Sequence, residues 1–172
     1  MIDLNDPDMK EIAIEFCDES DELLETMRDL LEEAEDDPSQ GSLFEEFGQM
    51  VDRIMGAAKT LGAEEIGHLC QMGKIIGYKC SQANNLPVQE IASGVLLDLC
   101  DFLEVMLMNV RDSETTHDLN YEAFTKRLSW LADKLKHIDR SSCSFDEEEA
   151  ESTGTKTTTA ELDRLISQFG KA

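Results

Sequence analysis

Hydrophobic residues recur at intervals of three and four positions along most of this chain of 172 residues. This spacing places them on one face of a helix. Five stretches carry such a stripe, and we predict helices over about residues 7–35, 42–61, 63–82, 87–110 and 121–138. No stretch shows the sustained alternation of apolar and polar residues that a half-buried strand requires. The pattern therefore predicts an all-α fold, an antiparallel bundle of five helices within residues 1–139.

The pattern changes after the fifth stripe. Residues 140–157 contain Ser, Thr, Gly and an acidic run, with little to bury, which predicts a flexible, disordered acidic linker. Residues 158–172 then place four apolar side chains at helical spacing, namely Leu162, Leu165, Ile166 and Phe169. A helix this short is unstable alone. The segment is therefore either a docking peptide that forms a short amphipathic helix on a partner or a sixth helix packed on the bundle.

Charge narrows the choice of partners. The chain has 15 basic and 38 acidic residues, a formal net charge of −23, which repels nucleic acid and anionic lipid surfaces. It also lacks a run of about 18 apolar residues and a secretory signal at its N-terminus. We therefore expect a cytoplasmic protein with no nucleic-acid partner and no membrane partner.

Candidate metal ligands are scattered. The chain has five Cys and three His residues, without CxxC spacing or paired histidines. Three of the cysteines occupy apolar helical positions, so we interpret the cysteines as reduced core residues. We interpret His68 as a histidine that faces solvent. The sequence predicts no metal site and no cofactor of its own.

Two segments resemble a known domain. The stretch LFEEFGQMVDRIMGAAKTLG, preceded by EFCDESDELLETMRDLLEE, resembles the histidine phosphotransfer (Hpt) domain at the N-terminus of CheA kinases. NYEAFTKRLSWLADKLK resembles the closing helix of that type, so the resemblance spans about residues 8–138. The matching residues of the second helix are Ile54, Gly56, Ala58, Thr60, Leu61 and Gly62. The resemblance implies an Hpt-like helical bundle in which Gly56 stays small because helices approach there.

The departures from that family pattern concern its chemistry. Asp52 stands in place of the phosphate-accepting histidine, and Met55 in place of the lysine one turn later. On the third helix, Lys74 replaces the orienting glutamate and Gln71 replaces a nearby histidine. The resemblance therefore implies a degenerate Hpt domain that has lost the usual phosphotransfer. A replaced function and simple drift in a retired site both remain open.

The C-terminal segment carries a second resemblance. TTTAELDRLISQFG resembles the CheY-binding peptides at the C-terminus of CheZ phosphatases and at the N-terminus of the flagellar switch protein FliM. This resemblance implies a CheY-like receiver domain, in its phosphorylated form, as the partner. The implied partner-binding residues are Glu161, Leu162, Asp163, Leu165, Ile166 and Phe169.

Three functions remain open. The first is a chemotaxis or two-component signalling protein that binds a CheY-like response regulator through its C-terminal peptide and its Hpt-like face. The second is a CheZ-like phosphatase in which Asp52 acts with Gln49 or Gln71, beside Lys74. Any Mg²⁺ would then belong to the receiver, which holds a divalent metal with several acids. The third is a helical bundle whose tail is only a packed sixth helix. For the phosphatase candidates, an ordinary surface salt bridge between Asp52 and Lys74 is the alternative interpretation.

Overall fold

The computed structural model describes residues 7–112 and 120–136, which form five α-helices. They are α1 (Pro7–Asp36), α2 (Gly41–Leu61), α3 (Glu64–Ser81), α4 (Leu86–Arg111) and α5 (Tyr121–Lys134). Within the described ranges no residue belongs to a strand. The predicted all-α fold with five helices is therefore confirmed. The predicted linker and the C-terminal peptide lie outside the described residues, as do His117, His137 and Cys143.

Short polar or glycine caps determine where several of the helices begin and end. The side chain of Asn85 accepts a hydrogen bond from the backbone N–H of Val88 at the start of α4. Asn120 accepts one from Ala123 at the start of α5. Gly62 ends α2 with a φ of 75°, a left-handed conformation that favours glycine. These caps limit the connections on either side of α3 to a few residues, so α2, α3 and α4 pack as antiparallel neighbours.

The first four helices form a bundle with α1 diagonal to α3, and α5 packs on α3 and α4. Two arginines link α1 to the antiparallel α4: Arg111 pairs with Asp18 and Asp21, and Arg28 pairs with Asp101 and Glu104. Ile12 of α1 is 46% exposed, whereas its neighbour Ala13 is only 1% exposed, so the buried face of α1 includes Ala13 and not Ile12.

The core is formed by aliphatic residues of all five helices together with phenylalanines of α2. The largest side chains that are almost fully buried include Phe44, Phe47, Leu24, Leu31, Ile54, Leu69, Leu96, Leu99 and Leu103. Four cysteines, Cys17, Cys70, Cys80 and Cys100, are also buried and unpaired. Burial raises the pKa of Cys70, Cys80 and Cys100 to about 12, so these thiols stay protonated at neutral pH. The predicted placement of these cysteines in the core is confirmed.

Among the five described helices, none combines the length and the apolar composition that crossing a bilayer requires.

Glycines allow α2 and α3 to approach closely. A Cβ atom at Gly77 would lie 2.9 Å from Cδ1 of Phe47 and 3.0 Å from the carbonyl oxygen of Phe44. A Cβ atom at Gly48 would lie 2.8 Å from the ring of Tyr78. Real Cβ atoms do not approach this closely, so the separation of α2 and α3 requires glycine at position 77, and the position of the Tyr78 ring requires glycine at position 48.

The expectation for Gly56 was wrong. A Cβ atom at Gly56 would meet no atom within 4 Å, because this residue faces outward on α2. The close approach of the two helices occurs instead at Gly48 and Gly77. Gly56 therefore leaves an open patch of backbone on the surface of the bundle.

A pair of matched substitutions tests this difference. Gly77→Leu should lower the free energy of unfolding by about 1 to 3 kcal/mol, because the added side chain overpacks the contact between α2 and α3. Gly56→Leu should leave it unchanged or raise it by up to about 1 kcal/mol, because leucine favours the helix and meets no neighbour. Urea denaturation monitored by circular dichroism would measure both. Equal losses in the two variants would contradict this account of the packing.

Candidate functional site

An ion pair joins α2 to α3 at the outer surface of their contact. Nζ of Lys74 on α3 donates a hydrogen bond to Oδ1 of Asp52 on α2 over 2.8 Å. The side chain of Asp52 is 40% exposed, whereas that of Lys74 is only 16% exposed. Val51 and Ile54, the neighbours of Asp52 in the helix, are buried and direct Asp52 toward the surface. The carboxylate is thus accessible from outside while its cationic partner lies beneath it.

Tyr78 fixes the surroundings of Lys74. Its ring covers Gly48 on α2, and its centroid lies 6.0 Å from Nζ of Lys74, at the outer limit of a cation–π contact. Tyr78 follows Lys74 by one helical turn, so both side chains extend along the same side of α3 toward α2. The position of Lys74 therefore depends on the glycine contact described above.

The stabilising contribution of the Asp52–Lys74 pair is small. Partly exposed ion pairs typically contribute about 0 to 1 kcal/mol, since water competes for both groups. Asp52 is more than a third exposed, so this low range applies. The consequence of the pair is mainly geometric: it holds the carboxylate between two helices and neutralises its charge.

The two candidate amides lie one turn from the ion pair. Gln49 is exposed on α2, where it lines a groove with Glu45, Met50 and Arg53. Gln71 is half-buried on α3, one turn before Lys74. Within residues 7–112 and 120–136, the hydrogen bond recorded for Asp52 comes from Lys74 and from neither glutamine. The structure therefore brings Asp52 and Lys74 together and leaves Gln49 and Gln71 beside them.

His68 is half-buried on α3, not turned fully to solvent as expected. Burial, and secondarily the charge of Lys59, lower the pKa of His68 below its ordinary value of 6.5. The side-chain stem of Lys59 lies against Gly67, the residue before His68. Its Cγ is 3.2 Å from the position that a Cβ atom at Gly67 would occupy. The imidazole is therefore neutral at physiological pH.

Several residues of this face could not be recognised from the sequence. Tyr78 was not identified, because nothing in a helical stripe shows that a tyrosine on one helix covers a glycine on another. Arg53 and Lys59, the two basic residues of α2, were assigned no binding role, although both are exposed. The C-terminal candidates, from Glu161 to Phe169, lie outside the described residues.

No group of three or more His, Cys, Asp or Glu side chains within the described part of the chain is placed to hold a metal ion. The groups near Asp52 are thus the ammonium of Lys74 and the amides of Gln49 and Gln71. An ammonium and an amide can orient an anion or a water molecule by hydrogen bonding.

The comparisons with known proteins identify the family. The family model described as the Hpt domain matches residues 11–112, more than half of the chain. The matched range includes the whole of α2 and α3 and therefore the Asp52–Lys74 pair. No curated protein and no solved structure matches the chain. Hpt domains act in two-component phosphorelay signalling and interact with receiver domains of response regulators. This chain belongs to the Hpt domain family.

Proposed function

We propose that this chain is a cytoplasmic, chemotaxis-type signalling protein that binds a CheY-like receiver domain without relaying phosphate through a histidine. The observation that carries the proposal is the Asp52–Lys74 pair, with 2.8 Å between Nζ and Oδ1. In the CheA-type pattern, position 52 corresponds to the phosphate-accepting histidine. A carboxylate already engaged by an ammonium cannot act as that imidazole does.

The surroundings of Asp52 also argue against phosphorylation of the carboxylate itself. Receiver domains phosphorylate an aspartate with the help of a divalent metal, which several acidic oxygens hold. The nearest residues along α2 are Gln49, Arg53 and Met55, and the residue across the interface is Lys74. None of these residues has a second carboxylate, and Lys74 places its positive charge in direct contact with Asp52. Asp52 therefore lacks the ligands that a catalytic metal needs.

Two contacts of moderate strength would together produce useful affinity. In this proposal residues 1–139 form the Hpt-like bundle, residues 140–157 a flexible linker and residues 158–172 the receiver-binding peptide. A linker of this length keeps a bound receiver near the bundle at an effective concentration of about millimolar. The face around Asp52 then needs only a weak affinity of its own.

A second candidate function rests on the exposure of Gln49. In a CheZ-like phosphatase an exposed amide on a helix positions the attacking water in the receiver, and positioning supplies much of the catalysis in phosphoryl transfer. Gln49 lies on the outer face of α2, one turn before Asp52 and one turn after Glu45. Its accessibility favours Gln49 over the half-buried Gln71 as the amide in this role.

The loss of phosphotransfer can be measured with radiolabelled ATP and a CheA-type kinase. The wild-type chain should remain unlabelled, and Asp52→His alone should not restore labelling. Restoration should also require Met55→Lys and Lys74→Glu, since Lys74 would otherwise place a second cation against the imidazole. Adding His68→Asn to that triple variant should preserve the label and so assign it to position 52. A labelled wild-type chain would refute the proposal.

The role of the C-terminal peptide can be separated from the stability of the bundle. Deletion of residues 158–172 should leave the melting temperature nearly unchanged and weaken receiver binding at least tenfold, about 1.4 kcal/mol. Leu165→Ala should cost roughly 1 to 3 kcal/mol of binding if it is an anchor, whereas Ser167→Ala should cost little. A large drop in the melting temperature after deletion would instead support a packed sixth helix.

Phosphate release from a phosphorylated receiver distinguishes the two candidate functions. A binding module should leave the rate of release unchanged. A phosphatase should accelerate it, and Gln49→Ala and Asp52→Asn should each abolish the acceleration while binding through the C-terminal peptide persists. Gln71→Ala provides the comparison between the two candidate amides. A wild-type chain that never accelerates release would exclude the phosphatase.

A further inference from the structure

Charge is distributed unevenly among the helices. α1 contains 13 acidic and two basic residues, whereas α2 and α3 together contain five acidic and four basic residues. α3 is diagonal to α1 in the bundle, so the α2–α3 face is directed away from much of this negative charge. An acidic partner surface approaching the molecule is therefore repelled least at that face.

Two cations on this face have no acidic partner in the part of the chain that the structure describes. Arg53 and Lys59 are both exposed, and no carboxylate of residues 7–112 or 120–136 forms an ion pair with either. The chain contains 38 acidic and only 15 basic residues, so unpaired cations are unexpected. Many of the other described cations do form such pairs, among them Arg28, Lys74, Arg111, Lys126, Arg127 and Lys136.

Arg53 and Lys59 lie on either side of the open backbone at Gly56. Each is three residues from Gly56 along α2, so Gly56 is midway between them around the helix. Because a Cβ atom there would meet nothing, a partner can approach the helix backbone between the two cations. Packing of the Lys59 stem against Gly67 restricts the direction of its ammonium.

On the side of α3, the neighbouring groups do not cancel this positive charge. Asp52 is neutralised by Lys74 at 2.8 Å. Across the helix interface His68 is neutral and Gln71 is uncharged. The face therefore combines two exposed cations with open backbone at Gly56, and Glu45 and Glu46 are the acids that share the groove of Arg53.

We propose that Arg53 and Lys59 contact the acidic, metal-binding pocket of the receiver domain, and that binding strengthens as the negative charge of that pocket increases. This inference rests on the proposed function and specifies which surface of the receiver is bound. A divalent cation in the pocket neutralises its carboxylates and competes with the two side chains. A phosphoryl group on the receiver adds negative charge and favours them.

The first test compares two variants with equal changes in net charge. A fluorescently labelled CheY-type receiver, unphosphorylated, is titrated with the full chain at about 0.1 M salt, where distant charges are largely screened. The double variant Arg53→Glu, Lys59→Glu should bind at least tenfold more weakly than wild type. The control, Lys10→Glu with Lys126→Glu, alters exposed cations on α1 and α5 and should change binding less than twofold. Equal weakening in the two variants would overturn the inference.

The second test varies the charge of the pocket directly. At constant ionic strength, removal of Mg²⁺ with a chelator should tighten binding of the wild-type chain several-fold, and the Arg53→Glu, Lys59→Glu variant should lose this dependence. Binding that is tightened by Mg²⁺, or is indifferent to it, would overturn the inference while leaving the proposed function intact. A wild-type chain that fails to bind the receiver with or without Mg²⁺ would refute both.

Discussion

The contact between α2 and α3 at Gly48 and Gly77 is the constraint on which the candidate face depends. With these helices so close, the ring of Tyr78 lies over α2 and Nζ of Lys74 reaches Oδ1 of Asp52. A wider separation would leave Lys74 to solvent and Asp52 without a partner. The glycines therefore determine the chemistry of the surface as well as the packing beneath it.

Under the proposed function, the Asp52–Lys74 pair would explain how a face of the Hpt type persists without phosphotransfer through a histidine. Under the proposed correspondence, the family has an imidazole on the second helix and a carboxylate on the third. Here the carboxylate is on α2 and the cation is on α3, so the hydrogen bond between the helices is retained with the charges exchanged. Retention of this bond preserves the surface on which a receiver would dock, while the nucleophile that phosphotransfer requires is absent from position 52.

The uneven distribution of charge favours the approach of an acidic partner at the α2–α3 face. A chain with a net charge of −23 is a poor partner for an acidic protein except where its own acids are few or paired. The α2–α3 face is such a region, since its central acid is paired and two of its cations are exposed. Electrostatics of this kind mainly influence the rate and orientation of association, and a tethered peptide would then prolong the complex.

Much of the fold could be predicted from the sequence, because a helical stripe is a local property that each segment carries by itself. The five helices and the buried cysteines follow from such patterns. The family motif of α2 likewise identified Asp52 and Lys74 as neighbours before their distance was known. The exposure of Ile12 did not follow, since it depends on which side of α1 the other helices cover.

The organisation of the face was decided only by the tertiary structure. The sequence shows glycines at positions 48, 56 and 77 but not which of them face another helix, and the expectation for Gly56 was wrong for this reason. It also shows 15 cations without indicating which are paired. Contacts between helices depend on their rotation and separation, which are set by the packing of the whole core. The sequence by itself therefore determined the helices and the residue at position 52, and tertiary packing determined what surrounds that residue.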